Sequence, residues 1–507
     1  MHFQHVHCAV MENVNTIAEP AAPLSHAEIR LIIFGILVAM LLAALDQTIV
    51  VTAMPTIGRT LGDVGYLPWV VTAYLLSATA VTPLYGKVSD IAGRRITLLF
   101  AIAIFVVGSV ACAVSPNMLS LILARGLQGL GGGGLISLAQ TIIADIVSPM
   151  ERPRYQGYIA GVFVTSSIAG PVLGGFFAEH LHWSFIFWLN LPLGFLAFQM
   201  TNGLLKKLPR HERPHRLDFA GAAVLAAATV TLMLALNWGG IQYPWSSHQI
   251  IGLLGSSFLL WTLFILRLVS APEPLIPTEV LADPVVALGI MTACLGMGVF
   301  IGLTAYLPIY FELVYGLTAS LSGLALIPYM VGTVTGATIA GRLMGSMVHY
   351  KRMPMIGLAV AVAGLSSLAA APHGMALAAI EFILPAISIG LGAILPVTTV
   401  AIQNAVMPHQ MGTATGAMNF FRSLGGALIV AGFGAVVFSQ LPHLVANATS
   451  VEKLATNAIH QGGDVVAAFR LVFALAAFML ALALGFFARM PENPLRTKNP
   501  GSGAAAE

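Results

Sequence analysis

The chain has 507 residues, of which 58% are hydrophobic and only 8% are charged, and its formal net charge is +3. Soluble proteins carry about 25% charged residues, so this composition excludes a soluble globular protein and indicates a polytopic membrane protein. The three cysteines are far apart in the sequence, which predicts neither a disulfide framework nor a metal site.

Fourteen apolar segments are each long enough to cross a bilayer as a helix, which predicts an all-α membrane protein. Windows of about 19 residues, interrupted at charged or Pro/Gly-rich stretches, give their limits. The predicted spans are 31–53, 68–85, 96–114, 118–145, 155–177, 185–204, 218–236, 249–268, 286–311, 321–343, 353–371, 375–402, 413–438 and 466–488.

The basic residues predict the orientation of these spans. Eighteen of the twenty-three Lys and Arg residues fall in alternate loops and in the two tails. Cytoplasmic loops hold an excess of Lys and Arg, so we expect both chain ends in the cytoplasm. The positive net charge therefore reflects topology and does not predict nucleic-acid binding. A basic run at 206–216 is explained by attraction to anionic lipid.

The first span contains one acid, Asp46, fifteen residues beyond Leu31. At about 1.5 Å per residue this acid lies roughly 22 Å into a hydrocarbon core of about 30 Å. A carboxylate there costs on the order of 2.5–3.5 kcal/mol, and such acids often mark ion or proton paths. The alternative is an acid permanently paired with a basic neighbour for structural reasons.

Arg125 in the fourth span provides such a neighbour. It lies seven residues, or roughly 10 Å, from the start of its span near Met118, at a depth similar to that of Asp46. Burial disfavours the charged form of a carboxylate and a nearby arginine favours it, so the pair could bind and release a proton. A locked salt bridge is the structural alternative. The glycines of 131–134 lack a phosphate-loop ending and predict either close helix packing or a flexible point.

A weak internal repeat divides the chain into two halves. The loop after the second span and the loop after the tenth span contain similar residues. The first loop has Gly86 and the triplet Gly93, Arg94 and Arg95, and the second has a glycine and an arginine at 341–342 and two basic residues at 351–352. We therefore expect two six-helix bundles with two inserted helices between them, and a substrate site between the halves. The predicted divisions are a tail at 1–30, bundles at 31–204 and 286–488, a basic loop with the inserted helices at 205–285, and a tail at 489–507.

Several motifs resemble those of the major facilitator superfamily, in particular its fourteen-helix drug:proton antiporter branch. The loop GKVSDIAGRR at 86–95 resembles the signature loop between the second and third helices, and LARGLQG at 123–129 resembles the fourth-helix motif. The glycine-rich fifth span resembles the motif associated with antiporters. Further matching segments are LDQTIV at 45–50, PWVVTAYLL at 68–76, FWLNLPLG at 187–194 and YLPIYF at 306–311.

The resemblance implies roles for particular residues. It places Asp90 in a cytoplasmic gate that contacts the other half near Thr413, while Gly345 replaces the acid in the second copy of the loop. Ser184 and Glu312 depart from the usual pattern. The expected gating residues are Gly86, Asp90, Gly93, Arg94, Arg95, Gly161, Gly170, Pro171, Gly174 and Gly175. The expected proton-coupling residues are Asp46, Arg125 and, from its depth in the twelfth span, Glu381, for which pairing with cationic substrates and a structural hydrogen-bonding role are the alternatives. The expected substrate-cavity residues are Trp69, Tyr74, Gln128, Asn419 and Arg422; for the last two, contact with anionic groups and stabilisation of helix packing both remain open.

The function expected from this pattern is proton-coupled antiport that exports amphipathic or hydrophobic compounds by alternating access. The alternative is a lipid or fatty-acyl transporter of the same fold with weak or no proton coupling. No HExxH, GxSxG or paired-aspartate motif occurs in the spans, so we expect no enzyme activity. We expect no cofactor beyond the proton gradient, a monomer in contact with membrane lipids, and a bacterial inner membrane as its location.

Overall fold

The computed structural model describes residues 26–207, 217–240, 242–347, 349–373, 375–440 and 465–496. Most of the predicted N-terminal tail, most of the basic run, the loop before the last span and the end of the C-terminal tail lie outside these residues. The predictions made for those segments therefore stay predictions.

The described part of the chain is built from α-helices and a few short 3₁₀ turns. The helices are α1 (His26–Leu61), α2 (Leu67–Ala92), α3 (Arg94–Ala113), α4 (Met118–Ile146), α5 (Arg152–His180), α6 (Phe185–Trp188), α7 (Asn190–Leu204), α8 (Phe219–Trp238), α9 (His248–Ser270), α10 (Thr278–Ala282), α11 (Pro284–Tyr315), α12 (Ala319–Ala325), α13 (Ile327–Leu343), α14 (Arg352–Ala370), α15 (Leu377–Ala405), α16 (Met411–Gln440) and α17 (Val465–Arg489).

Thirteen helical segments of this part are long and apolar enough to cross a membrane. The sixth predicted span, 185–204, is the one that is not a single long helix, because it is divided at Leu189 into α6 and α7. Pro192 lacks the N–H that would bond to the carbonyl of Trp188, which accounts for the interruption. The first span is longer than predicted, because α1 continues through Pro55 to Leu61. Proline is tolerated in membrane helices that neighbouring helices support.

The buried apolar side chains divide the molecule into two bundles. The helices from α1 to α7 share one set of clusters, around Phe105 and Leu138 and around Ile186. The helices from α11 to α17 share another, around Tyr310 and Phe473. The architecture is therefore two six-helix bundles with α8 and α9 as an inserted pair, which is the predicted fold.

The inserted pair packs beside the seam between the bundles. Trp238 of α8 meets Trp69 of α2 with ring centroids 5.6 Å apart, and Trp261 of α9 lies 6.2 Å from Phe420 of α16. A salt bridge of 3.1 Å between Asp218 and Arg267 joins α8 to α9. The pair therefore contacts one helix of each bundle.

Glycines bring α4 into close contact with α2 and α3. A Cβ atom at Gly133 would overlap the backbone of Ala78, and one at Gly131 would overlap the backbone around Phe105. Small residues allow such close approach of membrane helices. The interpretation of the glycine run as a packing surface is confirmed.

Gly133→Ala should lower the thermal unfolding midpoint of the purified protein, because overpacking a tight contact costs about 1–3 kcal/mol. Gly126→Ala is the matched control on the same helix, since a Cβ there would meet no atom within 4 Å. That control should be neutral or slightly stabilising, because alanine is the better helix former. Equal midpoints for the two variants would contradict the packing.

Candidate functional site

Asp46 is fully buried, and three side chains donate hydrogen bonds to its carboxylate. Nη1 of Arg125 donates to Oδ2 at 2.5 Å, and the amide nitrogens of Gln128 and Asn190 donate to Oδ1 at 2.8 and 3.0 Å. The relative exposures of Asp46 and Arg125 are 0% and 1%. The acid is therefore compensated by one cation and two amides within a dry part of the first bundle.

Arg125 is held by further groups besides Asp46. Its Nε donates to the carbonyl of Val70 at 3.0 Å, and its Nη1 also donates to Oε1 of Gln128 at 2.6 Å. Its guanidinium carbon lies 4.4 Å from the centroid of the Tyr74 ring, a cation–π contact. Both charges of the pair are thus held by groups on several helices.

Ser109 fixes the two amides of this network. Its hydroxyl oxygen accepts from Gln128 at 2.8 Å and from Asn190 at 3.2 Å. Neither Ser109 nor Asn190 was among the residues predicted for the site. Asn190 is an amide inside an apolar span, two residues before Pro192, and this unusual position could have indicated a polar site. A single serine such as Ser109 gives no such indication.

The network can respond to a proton. Leaving one partner of a buried pair uncompensated costs about 3–5 kcal/mol. A proton bound by Asp46 would remove the charge that balances Arg125, so a change in protonation favours a different arrangement of the surrounding helices. The predicted Asp46–Arg125 pair is present, and its role in proton coupling stays a prediction.

Two predicted cavity residues belong to this network, which corrects their assignment. Tyr74 and Gln128 are 1% and 0% exposed, so they do not line an open cavity. Trp69 packs against Trp238 of the inserted pair. Glu381, expected to act with Asp46, is exposed near the start of α15 in the other bundle. The structure therefore does not bring it to the Asp46 network.

The glycine-rich face of α5 contacts α1 just beyond Asp46. A Cβ at Gly170 would overlap Thr48, and one at Gly174 would overlap Thr52. The hydroxyl of Thr48 also donates to the carbonyl of Ser166 at 2.8 Å.

The other residues predicted from this motif have more room. Gly161 and Gly175 have open space at the Cβ position, and Pro171 is exposed. The close contact made by the motif is thus within the first bundle, and the gating role of these residues stays a prediction.

Asp90 joins the two bundles at the end of α2. Its carboxylate accepts from the backbone nitrogens of Gly412 and Thr413 at 2.9 and 2.7 Å, and from the Thr413 hydroxyl at 2.6 Å. An acid at the start of a helix satisfies free N–H groups and interacts favourably with the helix dipole. Asp90 therefore caps α16 of the opposite bundle, and the contact near Thr413 is present as expected.

The other residues of this loop hold Asp90 in place. Arg94 donates to Asp90 at 2.5 Å and to Asp145 of α4 at 2.7 Å. Gly93, at φ +88°, makes the turn between α2 and α3, and Arg95 donates to the carbonyl of Asn202 at 3.1 Å.

Glycine allows the seam to close beside Asp90. A Cβ at Gly86 would overlap the carbonyl of Gly412, so α2 and α16 touch backbone to backbone. The close approach also brings the start of α16 within reach of the Asp90 carboxylate.

A second seam, between α5 and α13, closes without an acid. Cβ atoms at Gly341 and Gly345 would overlap the carbonyls of Pro153 and Met150. Backbone packing thus replaces the carboxylate contact at the equivalent position. Both seams lie at the end of the molecule where Arg94, Arg95 and Arg342 lie, which we call the basic end. The basic end is closed.

Further polar contacts lie at the interface of the bundles. Asn419 of α16 donates to Oε1 of Gln140 in α4 at 2.8 Å, and Arg422 donates to Oδ1 of Asn419 at 3.2 Å. Arg152 donates to the carbonyl of Gln403 at 3.4 Å. Asn419 thus lies at the interface of the bundles with Arg422 beside it, and their assignment to a substrate cavity stays a prediction.

Membrane-spanning helices in two bundles, a buried ion pair and a seam closed at one end define a membrane transporter. A profile of the Major Facilitator Superfamily matches residues 36–430. The chain belongs to this superfamily, as the motifs predicted.

Three transporters and efflux proteins are similar to this chain in sequence over most of its length. The chain is 32% identical to multidrug transporter protein MdtP of Bacillus subtilis over 417 residues, 82% of this chain and 76% of that protein. It is 33% identical to multidrug resistance protein 3 of the same organism, covering 81% of this chain and 80% of that protein. The efflux pump dotC of Dothistroma septosporum is 34% identical, with 82% and 72% covered.

Solved structures share the fold at low identity. The human organic anion transporter MFSD10 superposes with a TM-score of 0.61 at 18% identity, covering 89% of this chain and 99% of that one. A bacterial homologue of ferroportin in an outward-facing state gives 0.63 at 11% identity, with 91% and 99% covered.

Asp90→Asn should open the basic end, because the variant loses the charge that strengthens three hydrogen bonds to the start of α16, each worth about 1.5–3 kcal/mol. Distances between spin labels at the basic ends of α2 and α16 should lengthen. Asp283→Asn is the matched control, since Asp283 caps α11 within its own bundle through Val285 and Val286. Unchanged distances in Asp90→Asn would contradict the gate.

Proposed function

We propose that the chain is a proton-driven antiporter that exports amphipathic, mainly apolar compounds from a bacterial cell. The observation that carries this proposal is the fully buried carboxylate of Asp46, held within the membrane by groups that a proton would rearrange. The names of the multidrug and efflux relatives support the substrate class and the direction of transport.

The orientation follows from the distribution of charge. Cytoplasmic segments of membrane proteins are rich in Lys and Arg, so the basic end faces the cytoplasm in this proposal. The closed seam at that end then corresponds to an outward-facing state. Export by alternating access requires the Asp90 contact with α16 to break when the cytoplasmic side opens.

Helix α4 links the proton site to the closed seam. It carries Arg125 in contact with Asp46, Gln140 in contact with Asn419, and Asp145 in contact with Arg94. These three positions extend over twenty residues, or about 30 Å of helix. A displacement of α4 that starts at the ion pair would therefore reach the polar contacts of Gln140 and Asp145 beside the seam between α2 and α16.

The proposed cycle moves one proton through Asp46. In the outward-facing state a proton from outside binds the carboxylate, which weakens its hold on Arg125 and lets α4 move while substrate leaves. After the basic end has opened, the proton leaves Asp46 to the cytoplasm and a new substrate enters. The ion pair then re-forms and returns the transporter to the closed basic end.

Reconstituted liposomes test this proposal through their internal pH. Addition of a substrate should cause proton movement with the wild type and none with Asp46→Asn. Asp218→Asn is the matched control, because Asp218 also pairs with an arginine, Arg267, but lies in the inserted pair. That control should retain proton movement.

A second variant separates loss of coupling from loss of folding. Asp46→Asn alone leaves Arg125 uncompensated, at a cost of about 3–5 kcal/mol. The double variant Asp46→Asn with Arg125→Gln removes both charges, and it should be more stable than the single variant and still lack proton movement. Proton movement at the wild-type rate in either variant would overturn the assignment of Asp46. Movement of labelled lipid without any proton movement would favour the lipid-transporter alternative.

A further inference from the structure

Arg422 differs from the other buried arginines in what surrounds it. Arg94 and Arg125 each pair with carboxylates, and Arg152 donates to the carbonyls of Ala144, Val147 and Gln403. Among the described residues, the one hydrogen bond of Arg422 goes to Oδ1 of Asn419, at 3.2 Å, and its buried Nε has no partner. Its guanidinium thus retains free donors.

Contacts along α16 show which way Arg422 faces. Phe420 packs against Trp261 of α9, so that face is occupied by the inserted pair. Thr415 and Asn419 contact Gln403 of α15 and Gln140 of α4. Residues three, four and seven apart share a helix face, so Arg422 faces the interface between the bundles.

Arg422 lies above the closed seam rather than within it. It is eleven residues, or about 16 Å of helix, beyond Met411 at the basic end. The Asp90 contact is at the very start of α16, and the Asn419–Gln140 contact comes one turn before Arg422. Arg422 as a whole is half-buried, so part of its side chain remains accessible.

A cation in this position needs a compensating group. Ionisable residues within a membrane are costly and face the bundle interior or a water-filled cavity. Guanidinium groups bind carboxylates, sulfonates and phosphates through paired hydrogen bonds.

We propose that Arg422 binds the anionic group of the transported substrate. The preferred substrate is then an apolar body with one carboxylate, sulfonate or phosphate group. This inference rests on the proposed export function and specifies its substrate class. Asn419 acts as a positioning residue that holds one edge of the guanidinium.

The charge of the substrate affects the driving force. If one proton enters for each monoanion that leaves, the equivalent of two positive charges moves inward in each cycle. A neutral substrate moves one charge and a monocation moves none. An inside-negative membrane potential therefore drives export of the anion most strongly.

Three probes with the same dansyl group test the inference: dansylglycine, an anion; dansylglycinamide, which is neutral; and dansylethylenediamine, a cation. Binding is measured by dansyl fluorescence with the full chain in lipid nanodiscs. The wild type should bind the anion at least about tenfold more tightly than the neutral amide, the ratio expected for one charge-assisted hydrogen bond. Arg422→Gln should abolish this ratio, and Arg422→Lys should retain part of it.

Two further variants keep the test specific. Arg489→Gln removes the same charge from an exposed position at the end of α17 and should leave the preference unchanged. Asn419→Asp places a carboxylate beside Arg422 and should lower the preference for the anion although the arginine is present. An intact preference in Arg422→Gln, tighter binding of the cation by the wild type, or specific binding of none of the probes would each overturn the inference.

The source of the anion is distinguished by lipid composition. Competition by phosphatidylglycerol in the nanodisc, seen with the wild type and absent in Arg422→Gln, would assign the site to a lipid phosphate. Tight dansylglycine binding that is unaffected by phosphatidylglycerol would assign it to free amphipathic anions.

Proton movement evoked by the neutral probe reports on the proposed function separately. If it occurs while the wild type shows no anion preference, export stands and the Arg422 inference fails.

Discussion

A carboxylate inside an apolar bundle must be compensated, and the arrangement of the first bundle depends on this constraint. Asp46 of α1 meets Arg125 and Gln128 of α4 and Asn190 of α7, while Ser109 of α3 holds the two amides. Four helices therefore depend on one charge. A buried network of this kind is stable when every member is satisfied, and it is disturbed when a proton removes the central charge.

Close packing determines how that disturbance can spread. Glycines bring α4 against α2 and α3, and Gly170 and Gly174 bring α5 against α1. Tightly packed helices move as units rather than deform continuously. Because α4 also reaches Asn419 through Gln140, the Asp46 network, the seam between the bundles and the proposed anion site of Arg422 lie along one connected set of contacts.

The sequence predicted the spans and the depth of their charges better than the directions that side chains face. Span length and the depths of Asp46 and Arg125 follow from residue counts, and the Asp90 contact followed from a motif. The helices are apolar on most sides, so periodicity does not say which face meets which neighbour. For that reason Tyr74 and Gln128 were assigned to a cavity although they are buried beside Asp46, and Ser109 and Asn190 were missed.

The most direct measurement of the central claim is the distance between spin labels at the basic ends of α2 and α16 as a function of pH. If protonation of Asp46 rearranges α4 and thereby loosens the seam, the populations of closed and open basic ends should depend on pH in the wild type. The same populations should not respond to pH in the double variant that lacks both Asp46 and Arg125. An identical pH dependence in the two proteins would show that the conformational change is controlled elsewhere.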